Sequence, residues 1–277
     1  MSNRNNAQNK QAARERLRAE RERQAKKDKT RRQLIVGAAV VGVLAITAGV
    51  VVAVTKMNDG TSDHWKAASE KTLVKPANTT GENGNEIVIG QKNAKETLTI
   101  FEDPRCPMCS DFEQSVGSTV RQDMKDGRFK VRYVMVNFLD RQLTGDGSKN
   151  AVSALGAALN VSTDAFLDFK EALYSKKNHP NERDDAFADD QHLIDIAQQV
   201  PALKGNTKFE TSVKDHVYDR WALEMGKLFG KNGVNGTPTL LHGDKQLTVE
   251  GPNGPVPPAT KELYDGVMDK EFGPRKK

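Results

Sequence analysis

Thr97-Leu-Thr-Ile-Phe-Glu-Asp-Pro-Arg-Cys-Pro-Met-Cys109 is the stretch on which the reading of this chain turns. Residues 97–102 mix β-branched, apolar and polar side chains in a strand-like alternation, and Asp103-Pro104-Arg105 breaks it. Cys106 then falls at a helix N-cap, with Pro107 at the first helical position, where its missing N–H costs nothing. Phe112, Val116 and Val120 continue that helix. A cysteine so placed sits beside unpaired backbone N–H groups at the positive end of the helix dipole, which lowers a thiol pKa from about 8.5 toward roughly 3.5–7.5. Arg105 is expected to add to this by charge, and Cys109, one turn further on, to face the core as the resolving thiol. A stabilised thiolate with a second thiol in reach is what thiol–disulfide exchange requires.

Other uses of the pair fit less well. These are the only two cysteines in the chain, and a bridge closing so small a loop would stabilise little. A structural zinc site needs four ligands, yet no second cysteine pair exists and the histidines at 64, 179, 192, 216 and 242 lack a His-x(3–5)-His spacing, so no metal is expected. No Gly-rich phosphate loop is present, and no nucleotide, flavin or other cofactor is expected.

Outward from the motif, residues 86–89 and 129–138 read as further strands, so strand, helix and parallel strand form a βαβ unit. From about 148 to 230 apolar residues recur every three or four positions, as in Val152, Leu155, Leu159 and Phe166, Phe169, Leu173. Gly233 to Pro238 is loop chemistry leading into a short strand, 239–241. A Gly243-Asp244 turn, a strand over 246–249 and a helix bearing Leu263, Val267 and Phe272 follow.

Over roughly residues 85–272 the chain resembles the DsbA-like family of thiol–disulfide oxidoreductases. The motif residues are Phe101 to Cys109, then Phe112-Glu113, and much later Gly236-Thr237-Pro238-Thr239. The resemblance implies an α/β thioredoxin fold with an all-helical insertion. It also implies a cis Pro238 against the active-site disulfide, with Thr237 presenting its backbone to substrate. Two departures stand out. Met108 replaces the histidine of DsbA before the second cysteine, which removes a thiolate-stabilising donor and implies a weaker oxidant than DsbA. The buried glutamate that DsbA carries six positions before its first cysteine corresponds to Ile100. Glu102 and Asp103 are candidate proton shuttles for Cys109, although strand-end carboxylates beside a turn are more often solvated.

The N-terminal third differs in kind. Residues 1–32 hold twelve Lys and Arg against four acidic residues, a net +8; set against +5 for the whole chain, this leaves the remainder at about −3. The basicity therefore belongs to a tail (1–33) too poor in apolar residues to fold alone, and argues against a nucleic-acid-binding domain. Residues 34–55 are uncharged, long enough at 1.5 Å per residue to cross a hydrocarbon core, and read as a single transmembrane helix. A signal peptide is the competing reading, but its apolar region is usually about 7–15 residues. The Lys/Arg excess before the span puts the N-terminus in the cytoplasm and the catalytic domain outside, anchored in the cell membrane by one pass. Residues 56–84 are expected to be a flexible linker, and 85–277 the thioredoxin-fold domain.

The expected function is oxidation of dithiols in exported cysteine-containing proteins through Cys106–Cys109. The resemblance implies reoxidation by a DsbB-like or vitamin K epoxide reductase-like membrane partner. Two alternatives stand beside it: a reductase or isomerase, for example in cytochrome or copper-site assembly, and a tethered binding module without catalysis.

Overall fold

In a computed structural model, which describes residues 62–230 and 233–275, the chain is built around the strand read first. Strand β2 (Thr97–Glu102) is buried along nearly its whole length, as a strand covered on both faces must be. On one side it pairs in parallel with β3 (Lys130–Met135), and on the other antiparallel with β4 (Thr239–His242). Strand β1 (Ile87–Ile89) and the two-residue β5 (Lys245–Gln246) complete the order β1-β3-β2-β4-β5. Phe101 lies opposite Thr239, so the register brings residues 237–238 to the end of β2 from which the motif emerges. Strands β6 (Val249–Gly251) and β7 (Gly254–Val256) form a separate two-stranded sheet. The expected strand over 246–249 is thus divided between two sheets.

The helix after Cys106 is not continuous. It runs as α2 (Pro107–Phe112), a π turn (Glu113–Gly117) and α3 (Ser118–Lys125). Phe112, Val116 and Val120 are all buried, as their spacing predicts. Gly117 leaves room for the Glu113 carboxyl, since a Cβ there would lie 2.6 Å from Glu113 Cδ. A π turn of this kind marks functional sites more often than ordinary helix.

Between β3 and β4 lies the helical insertion: α4 (Leu139–Leu143), α5 (Gly147–Val161), α6 (Thr163–Tyr174), a 3₁₀ turn (Ala186–Ala188), α7 (Asp190–Ala197), α8 (Thr207–Lys214) and α9 (Asp219–Gly226). Helix α5 is its axis, buried on all sides from Gly147 to Leu159. A Cβ on Gly156 would meet the Trp221 ring at 2.9 Å, so glycine lets α9 close onto it. Side-chain oxygens of Ser162, Asp189 and Asn206 accept first-turn N–H groups of α6, α7 and α8, satisfying donors that helix ends leave open. Helix α10 (Lys261–Phe272) ends the described chain, burying Tyr264 and Met268.

The linker expectation is corrected where the chain is described. Residues Asp63–Glu70 form a helix, α1, whose Trp65 and Ala68 are buried. Beyond it Asn78 Nδ2 donates to Leu159 O (2.8 Å), and the Ala77 N–H to Asn160 Oδ1 (3.0 Å). Trp221 Nε1 donates to Gly84 O at 2.6 Å. The polar composition that suggested a free linker instead supplies partners for groups at the end of α5, and Trp65 supplies the apolar anchor. The basic tail, the 34–55 span and residues 56–61 lie outside the described residues. Among the described residues no helix is long and apolar enough to cross a membrane.

Candidate active site

Cys106 caps α2 with extended backbone (φ −75°, ψ 117°), and Pro107 occupies the first turn. The carbonyl of Cys106 accepts the N–H groups of Cys109 (3.0 Å) and Ser110 (3.1 Å). Cys109 is fully buried, whereas Cys106 retains 6% exposure; Met108 and Pro107 are half-buried beside them. The Cys106 thiol donates to Thr237 O at 3.4 Å, directly before the cis Thr237–Pro238 peptide.

The two sulfurs are driven apart chemically. A hydrogen bond from Cys109 holds the Cys106 pKa below its ordinary value against the opposing effect of burial, and a hydrogen bond from Thr237 assists. The Thr237 hydroxyl is buried and has no hydrogen-bond partner among the described residues, so it is available as a donor to a thiolate. Burial pushes Cys109 well above the ordinary thiol range, reinforced by its bond to Cys106 and by the charges of Cys106 and Glu102. One readily ionised sulfur that keeps a little exposure, backed by one fully buried, reluctant sulfur, is the asymmetry that thiol exchange uses.

Behind the cysteines the two motif carboxylates are buried, not solvated. Glu102 has its pKa pushed up to about 7 by burial, with Lys170 restraining the rise. Lys170 Nζ lies 3.1 Å from Glu102 Oε2 and 2.5 Å from Glu113 Oε2. Burial pulls Lys170 down, but the two carboxylates outweigh it and hold the ammonium charged. Asp103 is likewise raised by burial to about 7, opposed by hydrogen bonds from Ser148 Oγ (2.6 Å), Leu139 N (3.1 Å) and Arg105 N (3.0 Å). Glu102 is thus poised between its two protonation states near neutral pH, and its charge is felt at Cys109.

Arg105 does not serve the thiolate. Its buried guanidinium pairs with Asp140 (3.0 Å) and Asp185 (2.9 Å). Those carboxylates in turn accept the first N–H groups of α5: Gly147 N to Asp185, and Ser148 N and Lys149 N to Asp140, each at 2.9 Å. The expectation of direct charge assistance to Cys106 gives way to a brace that joins the motif turn to the start of the insertion. The physical reason is that carboxylates at a helix N-terminus draw the cation toward themselves.

Lys170 and Glu113 were not singled out as site residues. A signal for Lys170 existed: it lies four residues after Phe166 and three before Leu173, in the stripe that faces the core. A charge in such a stripe needs a buried partner. The insertion also clamps α2 directly, since Ser110 Oγ (2.8 Å) and Gln114 Nε2 (2.9 Å) both donate to Tyr174 O.

Comparison with known proteins agrees with this geometry. Residues 82–254 match the Thioredoxin_4 family, described as thioredoxin. A segment of 161 residues is 27% identical to disulfide bond formation protein D of Bacillus subtilis, covering 58% of this chain and 68% of that protein. Another of 121 residues is 31% identical to the serine/threonine-protein kinase PknE of Mycobacterium tuberculosis, covering 42% of this chain and 21% of the kinase. The match therefore spans about a fifth of that relative's length. Among solved structures, reduced DsbG of M. tuberculosis superposes with a TM-score of 0.56 at 22% identity, covering 70% of this chain and 90% of that one. Oxidised BdbD of B. subtilis gives a TM-score of 0.54 at 21% identity over 72% of this chain and 99% of that one. At these identities the structural likeness is one of fold: a thioredoxin sheet carrying a helical insertion.

Proposed function

The chain belongs to the thioredoxin family just described, and from that premise we propose that it is a membrane-tethered, extracytoplasmic thiol–disulfide oxidoreductase that oxidises dithiols of exported proteins. The observation that carries this reading is the opposed shift of the two sulfurs, Cys106 lowered and Cys109 raised. An easily expelled Cys106 thiolate makes the enzyme disulfide the stronger oxidant. The uncharged residues 34–55 behind a basic tail support the tether.

In the oxidised enzyme a substrate thiolate attacks Cys106 Sγ. The Cys106–Cys109 bond breaks, and its electron pair leaves on Cys109. Because burial disfavours the charge there, Cys109 takes up a proton, for which Glu102, with its pKa raised to about 7, is the proposed donor. A second substrate thiolate then attacks the substrate sulfur of the mixed disulfide and expels Cys106 as a thiolate. The substrate leaves with a disulfide, two electrons richer is the enzyme, and a membrane redox partner of the DsbB or vitamin K epoxide reductase kind returns it to the disulfide. The proposed contacts to a substrate strand are Thr237, whose carbonyl accepts from the Cys106 thiol, together with Pro238 and the half-buried Met108.

The test is trapping. In the Cys109→Ala variant, Cys106 is expected to accumulate as mixed disulfides with exported cysteine-containing proteins, resolved as reductant-sensitive bands and identified by mass spectrometry. No adducts, or adducts with cytoplasmic proteins alone, would contradict the reading.

A further inference from the structure

Far along the chain from the thiols, three metal-ligating side chains converge where α1 meets the insertion. Asp219, the first residue of α9, is fully buried. His64 Nε2 lies 2.6 Å from its Oδ2, and His216 Nδ1 lies 3.5 Å from the same oxygen. The two imidazole centroids are 4.3 Å apart, and one donor atom from each of the three residues falls within 4.8 Å of the others. We propose that His64 Nε2, His216 Nδ1 and Asp219 Oδ2 form a site for a divalent transition ion of the zinc class, which staples helix α1 to the insertion.

Four observations favour an ion over a hydrogen-bonded cluster. A proton on His64 Nε2 accounts for the short contact to Asp219, but it leaves His216 Nδ1 buried without a hydrogen-bond partner. The other nitrogen, His216 Nε2, faces Asp190 Oδ2 at 3.3 Å. A proton held there by Asp190 turns the Nδ1 lone pair inward, the carboxylate–histidine–metal arrangement that orients ligating imidazoles. Asp219 is oriented in the same way, since Ser153 Oγ donates to its Oδ1 at 2.7 Å and leaves Oδ2 facing the rings. His216 also holds a left-handed backbone (φ 53°), unusual for a residue with a Cβ and tolerated where the surroundings fix it.

The donor set selects the ion. Bonds of about 2.0–2.1 Å in a tetrahedron place donors about 3.3–3.4 Å apart. The His216–Asp219 separation already fits, His64 Nε2 has to retreat from Asp219 Oδ2 by less than 1 Å, and the two ring nitrogens lie within 4.8 Å of each other. Two imidazoles and one carboxylate suit zinc and its neighbours, whereas calcium requires six to eight oxygens. His64 and His216 are 39% and 28% exposed, which leaves an approach for the ion and a fourth position for water. His64 is 152 residues before His216 in sequence, so no local spacing announces the site.

The test uses the untagged full-length protein in detergent, freed of metal and with Cys106–Cys109 oxidised so that the thiols do not bind zinc. Calorimetric titration is expected to give one Zn²⁺ per chain and no Ca²⁺. Affinity should fall by about 10–100-fold in Asp190→Asn, and further in His64→Gln and His216→Gln. These residues are partly exposed, so the variants are expected to fold, which far-ultraviolet circular dichroism checks. Co²⁺ should give the visible d–d bands of a low-symmetry site without a thiolate charge-transfer band. Zinc should also slow hydrogen exchange in 63–70 in the wild type and not in His216→Gln. Undetectable zinc binding, unchanged affinity in either histidine variant, or unchanged exchange in 63–70 on zinc addition would each overturn the proposal.

Discussion

Glu102 and Asp103 are neighbours at the end of one strand, both wholly buried and both raised to about 7, yet they are held in different ways and act on different sulfurs. Glu102 is balanced by a full charge, Lys170, brought in from the insertion, and its own charge raises Cys109. Asp103 is held by neutral donors, the Ser148 hydroxyl and two backbone N–H groups, and its charge bears on Cys106. The first arrangement can change protonation during a cycle because the adjoining cation tolerates either state. The second fixes the geometry of the turn. Similar values near 7 thus arise from two arrangements, one built around a charged partner and one around neutral donors.

The largest way to break this contrast is Lys170→Met, which leaves Glu102 and Glu113 buried without their cation. Losing one partner of a buried pair costs about 3–5 kcal/mol, so denaturant unfolding should show a loss of that size. Asp103→Asn is expected to cost about 1–3 kcal/mol, the range for a disturbed buried hydrogen-bond set. It should let Cys106 ionise at lower pH while leaving Cys109 where it is, as pH-dependent alkylation read by mass spectrometry would reveal.

Glu102→Gln should change stability least, by about 1 kcal/mol, and should lower the pH at which Cys109 reacts. It should also alter the pH profile of stability. A carboxyl whose folded pKa exceeds its unfolded one binds its proton more tightly when folded. Its contribution is therefore fully present below the unfolded value and lost as pH rises through about 7. The wild type should be more stable near pH 5 than near pH 8 as far as these groups decide it, and the decline should be shallower in Glu102→Gln. An equal slope in both proteins would assign the pH dependence to other groups.

Much of this was legible from local pattern. Strand β2, the helix start at Cys106, β3 and the apolar stripes of the insertion follow from period and punctuation, and those properties reside in neighbouring residues. What escaped was decided by residues distant in sequence. The burial of Glu102 depends on Lys170 in α6, and the orientation of Arg105 depends on Asp140 and Asp185. The docking of α1 depends on packing across the insertion, and in segment 63–84 a single tryptophan outweighs a polar composition. The π turn at 113–117 was invisible for a related reason: the apolar spacing of Phe112, Val116 and Val120 suits an ordinary α-helix, while Glu113 is paired with Lys170 from a distant helix.

The central claim is that the reduced state is favoured by a stabilised Cys106 thiolate, and the reduction potential of the Cys106–Cys109 couple tests it most directly. Equilibrated against glutathione buffers, the protein is predicted to lie on the oxidising side, between about −200 mV and the value of about −120 mV known for DsbA. A potential near the value of about −270 mV that characterises thioredoxin would contradict the account and make the chain a reductant.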